Sequence, residues 1–363
     1  MKKYLPFLVV ALLLLSACTQ ATPEAPPPVE PTAAVEAPPA AVPPAVEPEK
    51  TSLRITQPLP LFIDPAVGSD YVSSTSLANL YDSLIFPTAG GGTEPWLAES
   101  WEASANGLTY TFQLRQGVTF HDGSELLASD VVYSHNRLQT IGEGYAYLVS
   151  GVAEVTAPDD YTVVFTLGQP SGLFVPSLVR LYVVNEDLVR TNTNPEGPYG
   201  ENGDYGKDWL LTHDAGSGPY TVIEFPLEEF ALMEKFEDWW AKDQFNAYAP
   251  DQVKLILTTE GATVRTLMET GALEISDQWQ PVEAFNSLDG IEGVDITAFS
   301  TMSSFYYMMN NRLAPLDDIH CRKAIAWAFD YEGAIALEWP GTQQMVGPVP
   351  AVLGGHDPTV FTY

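Results

Sequence analysis

A strand, a glycine turn and a helix follow one another between residues 108 and 138, and this order constrains the fold more than any other feature. Residues 109–115 alternate apolar and polar side chains, which predicts a strand with one buried face. Gly117 and the His-Asp-Gly run at 121–123 predict a turn. Apolar residues then recur at helical spacing, with Ser129 as the predicted N-cap. The segment therefore favours a fold that mixes strands and helices.

The rest of the folded region repeats this mixture. Alternating stretches at 252–257 and 305–310 predict two more strands, and spaced apolar residues predict one long helix over 320–336. We expect Cys321 on the apolar side of that helix to be buried as a small hydrophobic residue. Helices interleaved with hairpins indicate an α/β or mixed α+β fold.

The N-terminal residues resemble a secretory signal sequence. Two lysines precede an apolar run at 5–15, which is shorter than the roughly 20 residues that span a bilayer and fits the core of a secretory signal. The run ends in Leu-Ser-Ala-Cys at 15–18, which resembles the bacterial lipobox, whose cysteine is lipidated. We expect a lipoprotein signal peptide at 1–17 and lipidation of Cys18, with a plain signal peptide as the alternative.

Residues 18–52 consist mainly of proline, alanine and glutamate with valine and threonine. Such a segment cannot bury enough apolar surface to fold, and its proline density favours extended spacing. We therefore expect a disordered tether between the anchor and the folded region. About 310 residues remain from residue 53 onward, enough for two domains or one large one.

The charge balance excludes one class of partner. The chain has 16 basic and 47 acidic residues, a net charge of −31, so it repels phosphate backbones and nucleic acid is not an expected partner. It has two cysteines, and lipidation of Cys18 leaves Cys321 without a disulfide partner. Its five histidines lack the paired spacing of a zinc site, and no metal or cofactor is expected.

Residues 95–138 also carry a family resemblance. The segment reads PWLAESWEASANGLTYTFQLRQGVTFHDGSELLASDVVYSHNRL and is similar to the family 5 extracytoplasmic solute-binding proteins, the oligopeptide- and dipeptide-binding lipoproteins of ABC importers. Shorter matches follow in family order: GPY at 218–220, FEDWW at 236–240, GALEISD at 271–277, CRKAIAWAFDYEGAI at 321–335 and VGPVP at 346–350. The resemblance covers about residues 53–359.

The resemblance implies a two-lobe fold of the type II periplasmic-binding-protein kind, which closes on a ligand held between the lobes. It implies a first lobe at 53–275 and the start of a second lobe at 276–363. Family members continue well beyond the VGPVP match, so we expect a fragment or truncated chain with an incomplete second lobe. Because half of the cleft would then be missing, we expect weak or absent ligand binding by the 363-residue form.

The implied function is substrate binding for an ABC importer, without catalysis. The protein would be an extracytoplasmic monomer, held to the cell membrane by its lipid, and would pass its solute to the permease subunits. Peptide is the default ligand, and an oligosaccharide, a nickel chelate or another small solute is the alternative. Charged groups that hold peptide termini in peptide-binding relatives lie largely in the second lobe, so the ligand class is not carried over.

A secreted hydrolase of peptides or glycans is the competing hypothesis, because His121 and Asp122 lie beside Ser124. A triad needs three groups that converge in space, and neighbours in one turn do not meet that need by themselves. We expect a structural turn in which Gly123 supplies backbone freedom and Asp122 binds local amides. A third hypothesis is a non-functional remnant.

Candidate ligand-binding residues come from three loops expected to face the cleft. They are Gln57, Pro58 and Tyr71 after the first strand, Gln278 and Trp279 at the first lobe crossing, and Tyr306 and Tyr307 near the hinge. Trp279 is open to two interpretations, a ring that stacks on a ligand or a core residue. Strand alternation predicts that only one of the two tyrosines faces the cleft.

Overall fold

The computed structural model describes residues 50–59, 61–88, 92–244, 248–297, 304–338, 341–351 and 355–360. The predicted signal peptide, Cys18 and the tether up to residue 49 lie outside the described residues. Within the described ranges, every helix is too short or too polar to cross a bilayer.

The described residues form strands in both halves of the folded region. The strands are β1 (Ser52–Gln57), β2 (Ile85–Pro87), β3 (Thr93–Pro95), β4 (Ala98–Ala103), β5 (Thr109–Leu114), β6 (Val152–Asp159), β7 (Thr162–Leu167), β8 (Tyr220–Glu224), β9 (Phe230–Lys235) and β10 (Gln252–Leu257). The predicted strands at 109–115 and 252–257 are therefore confirmed.

The described helices are mostly short. They are α1 (Tyr71–Leu80), α2 (Ala128–Ile141), α3 (Ala146–Val149), α4 (Phe174–Ser177), α5 (Glu186–Thr191), α6 (Gly261–Glu269), α7 (Val282–Leu288), α8 (Ile319–Ala328) and α9 (Tyr331–Ala336), with short 3-10 turns at 178–180, 200–202, 209–211 and 242–244. The prediction of Ser129 as the N-cap of α2 was wrong. Leu127 is the N-cap, and the Asp130 carboxylate accepts a hydrogen bond from its amide at 2.8 Å.

The strands form two four-stranded sheets and a two-stranded ribbon. One sheet has the order β1-β10-β9-β8, the other has the order β4-β5-β7-β6, and β2 pairs with β3. Only β1 and β10 pair in parallel among these named strands. On the free side of β1, Ile275 forms a further parallel bridge to Ile55. Three parallel segments therefore end at the same edge of this sheet.

One large apolar cluster joins both sheets and the helices that pack on them. Strand β5 shows how the sequence pattern produces it, because Phe112 and Leu114 are buried while Gln113 between them is exposed. Helix α2 packs on β6 and β7. A second, smaller cluster forms around Val264, Leu273 and Leu288, where α7 packs against α6.

A buried ion pair joins the loop after β1 to α2. The Arg137 guanidinium donates to both carboxylate oxygens of Asp64 at 2.6 and 2.7 Å and to the Tyr205 carbonyl at 2.8 Å. Arg137 and Asp64 are 1% and 3% exposed. Burial alone would lower the pKa of Arg137, but the charge of Asp64 and the hydrogen bonds raise it. The guanidinium therefore stays protonated, and its two bonds to Asp64 fix the turn at that residue.

Asp82 connects three of the segments that carried the family resemblance. Its buried carboxylate accepts hydrogen bonds from the indole of Trp96 at 2.7 Å, the indole of Trp240 at 3.0 Å and the hydroxyl of Ser217 at 2.9 Å. Burial raises the pKa of Asp82, and these donors offset part of that rise. Motifs far apart in the chain thus meet at one carboxylate.

Residues 304–338 differ from the sequence predictions in three ways. The strand predicted at 305–310 was wrong, since the described residues 304–310 form no strand. The long helix predicted over 320–336 is interrupted at Phe329, between α8 and α9. Cys321 is partly exposed rather than buried, and neither helix has a buried residue. Apolar spacing predicted a buried face, and in the described residues no element covers it.

Candidate ligand-binding site

The edge at which the three parallel segments end is the best-defined candidate site. Gln57 and Leu257 are paired at the ends of β1 and β10, and the third segment leaves the sheet after Ile275. The amide of Thr56 donates to the Ile275 carbonyl at 3.1 Å, which holds this third segment in place. In open α/β sheets, ligands bind outside the carboxyl ends of the strands. A ligand site at this edge would therefore be formed by the loops that follow these three ends.

A buried polar network fixes the turn after Ile275 to the end of β1. The Asp277 amide donates to the Thr56 hydroxyl at 2.9 Å, and that hydroxyl lies 3.3 Å from the Asp277 carboxylate. The Gln280 side-chain amide donates to Asp277 at 2.7 Å and to the Thr259 carbonyl at 3.2 Å. Asp277 and Gln280 are 3% and 4% exposed. These buried hydrogen bonds therefore fix the turn between Asp277 and Gln280.

This network presents Trp279 to the surface beside Tyr71. The Trp279 amide donates to the Asp277 carboxylate at 2.8 Å, and this bond fixes the backbone at Trp279. The two rings meet edge to face, with centroids 6.1 Å apart and planes at 85°. Tyr71 is 51% exposed and Trp279 is 47% exposed. The indole is therefore half exposed, and the core interpretation of Trp279 does not hold.

Tyr71 takes its position from the start of α1. Asp70 is the N-cap, and its carboxylate accepts the amide of Ser73 at 2.9 Å and the hydroxyl of Ser73 at 2.6 Å. The Ser73 hydroxyl in turn accepts the Phe62 amide at 3.0 Å. A capped helix and the preceding loop thus hold the tyrosine at the surface.

The other candidates divide into two groups. Gln57 and Pro58 are partly buried at the end of β1, and Gln278 is exposed next to Trp279. Tyr306 and Tyr307 are both exposed, in a stretch without strand pairing, so the alternation argument for choosing one of them was wrong. The structure brings Tyr307 to Phe329, with ring centroids 5.0 Å apart, and brings Tyr71 to Trp279.

The His-Asp-Gly turn does not bring a Ser-His-Asp triad together. One ring nitrogen of His121 lies 2.5 Å from the Asp214 carboxylate and the other lies 3.0 Å from the Gly218 carbonyl. The Ser124 hydroxyl donates to Asp122 at 2.6 Å and accepts from Asn185 at 2.8 Å. His121 is therefore not placed to remove a proton from this serine.

The structural interpretation of the turn is confirmed in its details. Gly123 has a φ of +85°, a region that favours glycine. The Asp122 carboxylate accepts the Ser124 amide at 2.9 Å and the Asn185 side-chain amide at 3.0 Å. These bonds tie the turn to the chain before α5.

The side chains of His121 and Asp214 form a largely buried hydrogen-bonded pair behind this turn. Burial would lower the pKa of His121, but the hydrogen bond and charge of Asp214 raise it above its ordinary value. Burial would raise the pKa of Asp214, but the bond and charge of His121 lower it, helped by the amides of Val222 and Gly216. The pair fastens the turn to the chain that enters β8.

Asp277 and Gln280 lie in the loop 277–280 that the sequence marked as a candidate, but their buried network with Thr56 was not predicted. Asp277 and Gln280 follow an apolar stretch at the spacing of one turn, which is a weak local signal for a polar turn. Thr56 is 221 residues earlier in the chain, so no local pattern predicts its contact with Asp277. Within the described residues, no group of three or more histidine, cysteine, aspartate or glutamate side chains is arranged to hold a metal ion.

Comparison with known proteins supports the fold and the family. A probable D,D-dipeptide-binding periplasmic protein, DdpA of Escherichia coli K12, is 31% identical over 311 residues, which cover 84% of this chain and 58% of the relative. The dipeptide-binding protein DppE of Bacillus subtilis is 26% identical over 75% of this chain and 50% of its own length. The chain thus spans between half and three fifths of the length of these curated relatives.

A solved structure superposes on this chain and supports the same fold. The periplasmic binding protein DppA of Helicobacter pylori, in complex with the peptide STSA, superposes with a TM-score of 0.74 at 24% identity. The superposition covers 86% of this chain and 64% of that chain. The mixed α/β fold of type II periplasmic binding proteins is therefore confirmed.

The family match covers most of the folded region. The model of the bacterial extracellular solute-binding proteins, family 5, middle region, matches residues 92–360. This range contains the strand-turn-helix segment, the three side chains that bind Asp82 and the turn that carries Trp279. The chain therefore belongs to the family 5 bacterial extracellular solute-binding proteins.

Proposed function

We propose that this protein is the extracytoplasmic substrate-binding component of an ABC importer and that it binds peptides at the edge occupied by Tyr71 and Trp279. The observation that carries the proposal is the half-exposed aromatic pair, held on a buried polar network at the carboxyl ends of parallel strands. Aromatic side chains fixed by packing supply contact area at low entropic cost. Gln57, Pro58, Gln278 and one or both of Tyr306 and Tyr307 complete the proposed ligand contacts.

The family and its peptide-binding relatives support this choice of ligand. The proposal further includes lipidation of Cys18, attachment to the extracytoplasmic side of the membrane, a monomeric protein and delivery of the solute to permease subunits. The proposal also includes a first lobe at residues 53–275 and the start of a second lobe at residues 276–363. Incorporation of a labelled fatty acid that is lost in Cys18→Ser tests the anchor, and undiminished labelling of that variant would contradict it.

An oligosaccharide is the second candidate ligand, because an exposed indole also stacks on sugar rings. A hydrolase is not favoured, since the turn that suggested one holds its histidine in bonds to Asp214 and Gly218.

Fluorine NMR of the chain labelled with 5-fluorotryptophan tests the peptide proposal and detects weak binding. The chain has eight tryptophans, and the signal that is absent from Trp279→Phe belongs to Trp279. Trp101, on β4 of the other sheet, is the control because it is partly exposed outside the candidate site. Titration with trialanine should move the Trp279 signal in a saturable way and leave the Trp101 signal unchanged.

Two parallel titrations discriminate the ligand classes. Maltotriose represents the sugar candidate, and the nickel-histidine complex represents the chelate candidate. A response of the Trp279 signal to either of these but not to peptides of two to five residues would contradict the peptide proposal. Equal responses of Trp279 and Trp101 would mean non-specific association and would contradict the proposed site.

A further inference from the structure

A carboxylate without a cationic partner lies buried behind the aromatic pair. Asp277 accepts its hydrogen bonds from the Trp279 amide at 2.8 Å, the Gln280 side-chain amide at 2.7 Å and the Thr56 hydroxyl at 3.3 Å. All three donors are neutral, and no ion pair to Asp277 occurs in the part of the chain that the structure describes. Among the described residues, no cation therefore offsets the negative potential that this carboxylate contributes to the site.

Two further carboxylates lie in the loops that follow the other two strand ends. Asp70, immediately before Tyr71, binds the amide and hydroxyl of Ser73. Glu260, which caps α6 after β10, binds the amides of Ala262 and Thr263. These partners are also neutral, so each of the three loops at the sheet edge brings one carboxylate that forms no ion pair with a cation among the described residues.

The cation on β1 does not compensate these charges. Arg54 forms an ion pair with Glu274 and donates to the Gly271 carbonyl at 2.8 Å, three residues before the end of the strand. Its charge is therefore matched by a carboxylate of its own. The chain as a whole has a net charge of −31, which adds a long-range field of the same sign.

Negative potential combined with exposed aromatic rings suits one kind of ligand group. The face of an indole or phenol ring attracts a cation, and negative charges nearby add to that attraction. We propose that the Tyr71–Trp279 site selects peptides with a cationic side chain, Lys or Arg, over neutral and acidic peptides of the same size. This selectivity rests on the proposed peptide-binding function and adds the charge class of its substrate.

Matched tripeptides measure the selectivity on the labelled chain. The probes are Ala-Lys-Ala, Ala-Gln-Ala and Ala-Glu-Ala, which share length and termini and differ by one charge unit at each step. Affinity read from the Trp279 fluorine signal should fall in that order, by roughly fivefold from the lysine to the glutamine peptide at low salt. The difference should shrink as salt rises toward about 0.5 M, because exposed ligand charges are screened.

Two charge-removing variants locate the source of the selectivity. Asp277→Asn should reduce the preference for Ala-Lys-Ala to less than about twofold, while Glu154→Gln on the exposed edge strand β6 makes the same charge change in the other sheet and should preserve it. The salt series on the unsubstituted chain tests the selectivity even when Asp277→Asn does not fold.

Each outcome bears on one proposal. Equal affinity for the three peptides, or a preference that salt does not reduce, would overturn the charge selectivity and leave the peptide-binding function standing. An undiminished preference in folded Asp277→Asn would equally overturn it. Failure of all three peptides to move the Trp279 signal, even at millimolar concentration, would overturn peptide binding at the Tyr71–Trp279 site.

Discussion

Residues 50–297 and residues 304–338 have similar local patterns and very different burial. In the first region, α1 has six buried residues, and the leucines at 77 and 80 are fully enclosed. In the second region, α8 also has apolar residues at helical spacing, yet Ile325 is 46% exposed and Trp327 is 65% exposed. The difference teaches that an apolar stripe specifies which face needs cover, whereas a packed neighbour decides whether that face stabilises the fold.

The largest expected effect comes from a buried charge in the first region. Arg137→Met should reduce the free energy of unfolding by about 3–5 kcal/mol, because the Asp64 carboxylate is then buried without its cation. Arg322→Met is the control in the second region, where the guanidinium donates to the carbonyls of Leu316 and Asp317, and should cost about 1 kcal/mol or less. Urea unfolding followed by circular dichroism measures the free energy of unfolding of both variants. Similar losses in the two would contradict the difference in burial between the two regions.

A matched truncation tests the contrast for apolar side chains. Leu77→Ala in α1 removes a side chain that is 0% exposed and should cost about 3 kcal/mol through lost burial and a residual cavity. Ile325→Ala in α8 removes a half-exposed side chain and should cost less than about 1 kcal/mol. Equal shifts of the urea midpoint would show that α8 is covered in solution.

The His121–Asp214 pair makes the stability of the first region depend on pH. His121 has a raised pKa, so its contribution is full below the unfolded value near 6.5 and is lost as pH rises through the folded value. Asp214 has a lowered pKa, so its contribution is present above the unfolded value near 4 and is lost as pH falls through the folded value. The pair therefore stabilises most between about pH 4 and 6.5.

The variant His121→Gln isolates this contribution. The stability difference between the unsubstituted chain and the variant, from urea midpoints at several pH values, should be largest at about pH 5–6 and smaller at about pH 9. His213→Gln, on an exposed histidine, is the control substitution. A difference for His121→Gln that grows with pH would contradict the assignment.

The smallest effect compares two helix caps. Asp70 and Asp318 are both N-cap residues whose carboxylates accept one backbone amide near the helix start. Asp70→Ala should cost about 1 kcal/mol of global stability, because α1 belongs to the packed core. Asp318→Ala should leave the free energy of unfolding within about 0.3 kcal/mol and reduce only the hydrogen-exchange protection of α8 amides. A loss of global stability in both variants would contradict the difference between the two regions.

Much of the first region was predictable because its determinants are local. The alternation at 109–115, the glycine turn and the strand at 252–257 follow from neighbours two to four residues apart, and the structure confirms them. The same reasoning failed at 305–310 and overextended the helix at 320–336. A strand needs a partner strand, and a buried helical face needs a covering element, so apolar patterns alone did not decide these cases.

In the candidate site, local sequence likewise indicated some residues but not their contacts. Tyr71 and Trp279 were chosen because they belong to loops expected to face the cleft. Their ring contact, with centroids 6.1 Å apart, joins positions more than 200 residues apart and was not predicted. The buried network of Asp277, Thr56 and Gln280 was not predicted either, since a buried carboxylate is recognised by its partners and not by its neighbours in the chain.

By itself, the sequence determined the family, the mixture of strands and helices, and the structural nature of the His-Asp-Gly turn, because short-range spacing and long motifs carry that information. Only the tertiary structure decided which side chains share a carboxylate and which aromatic rings stay at the surface. Trp96, Ser217 and Trp240 meet at Asp82 across separations of 14, 135 and 158 residues. Contacts of that range depend on how the two sheets pack, and packing is a property of the whole folded chain.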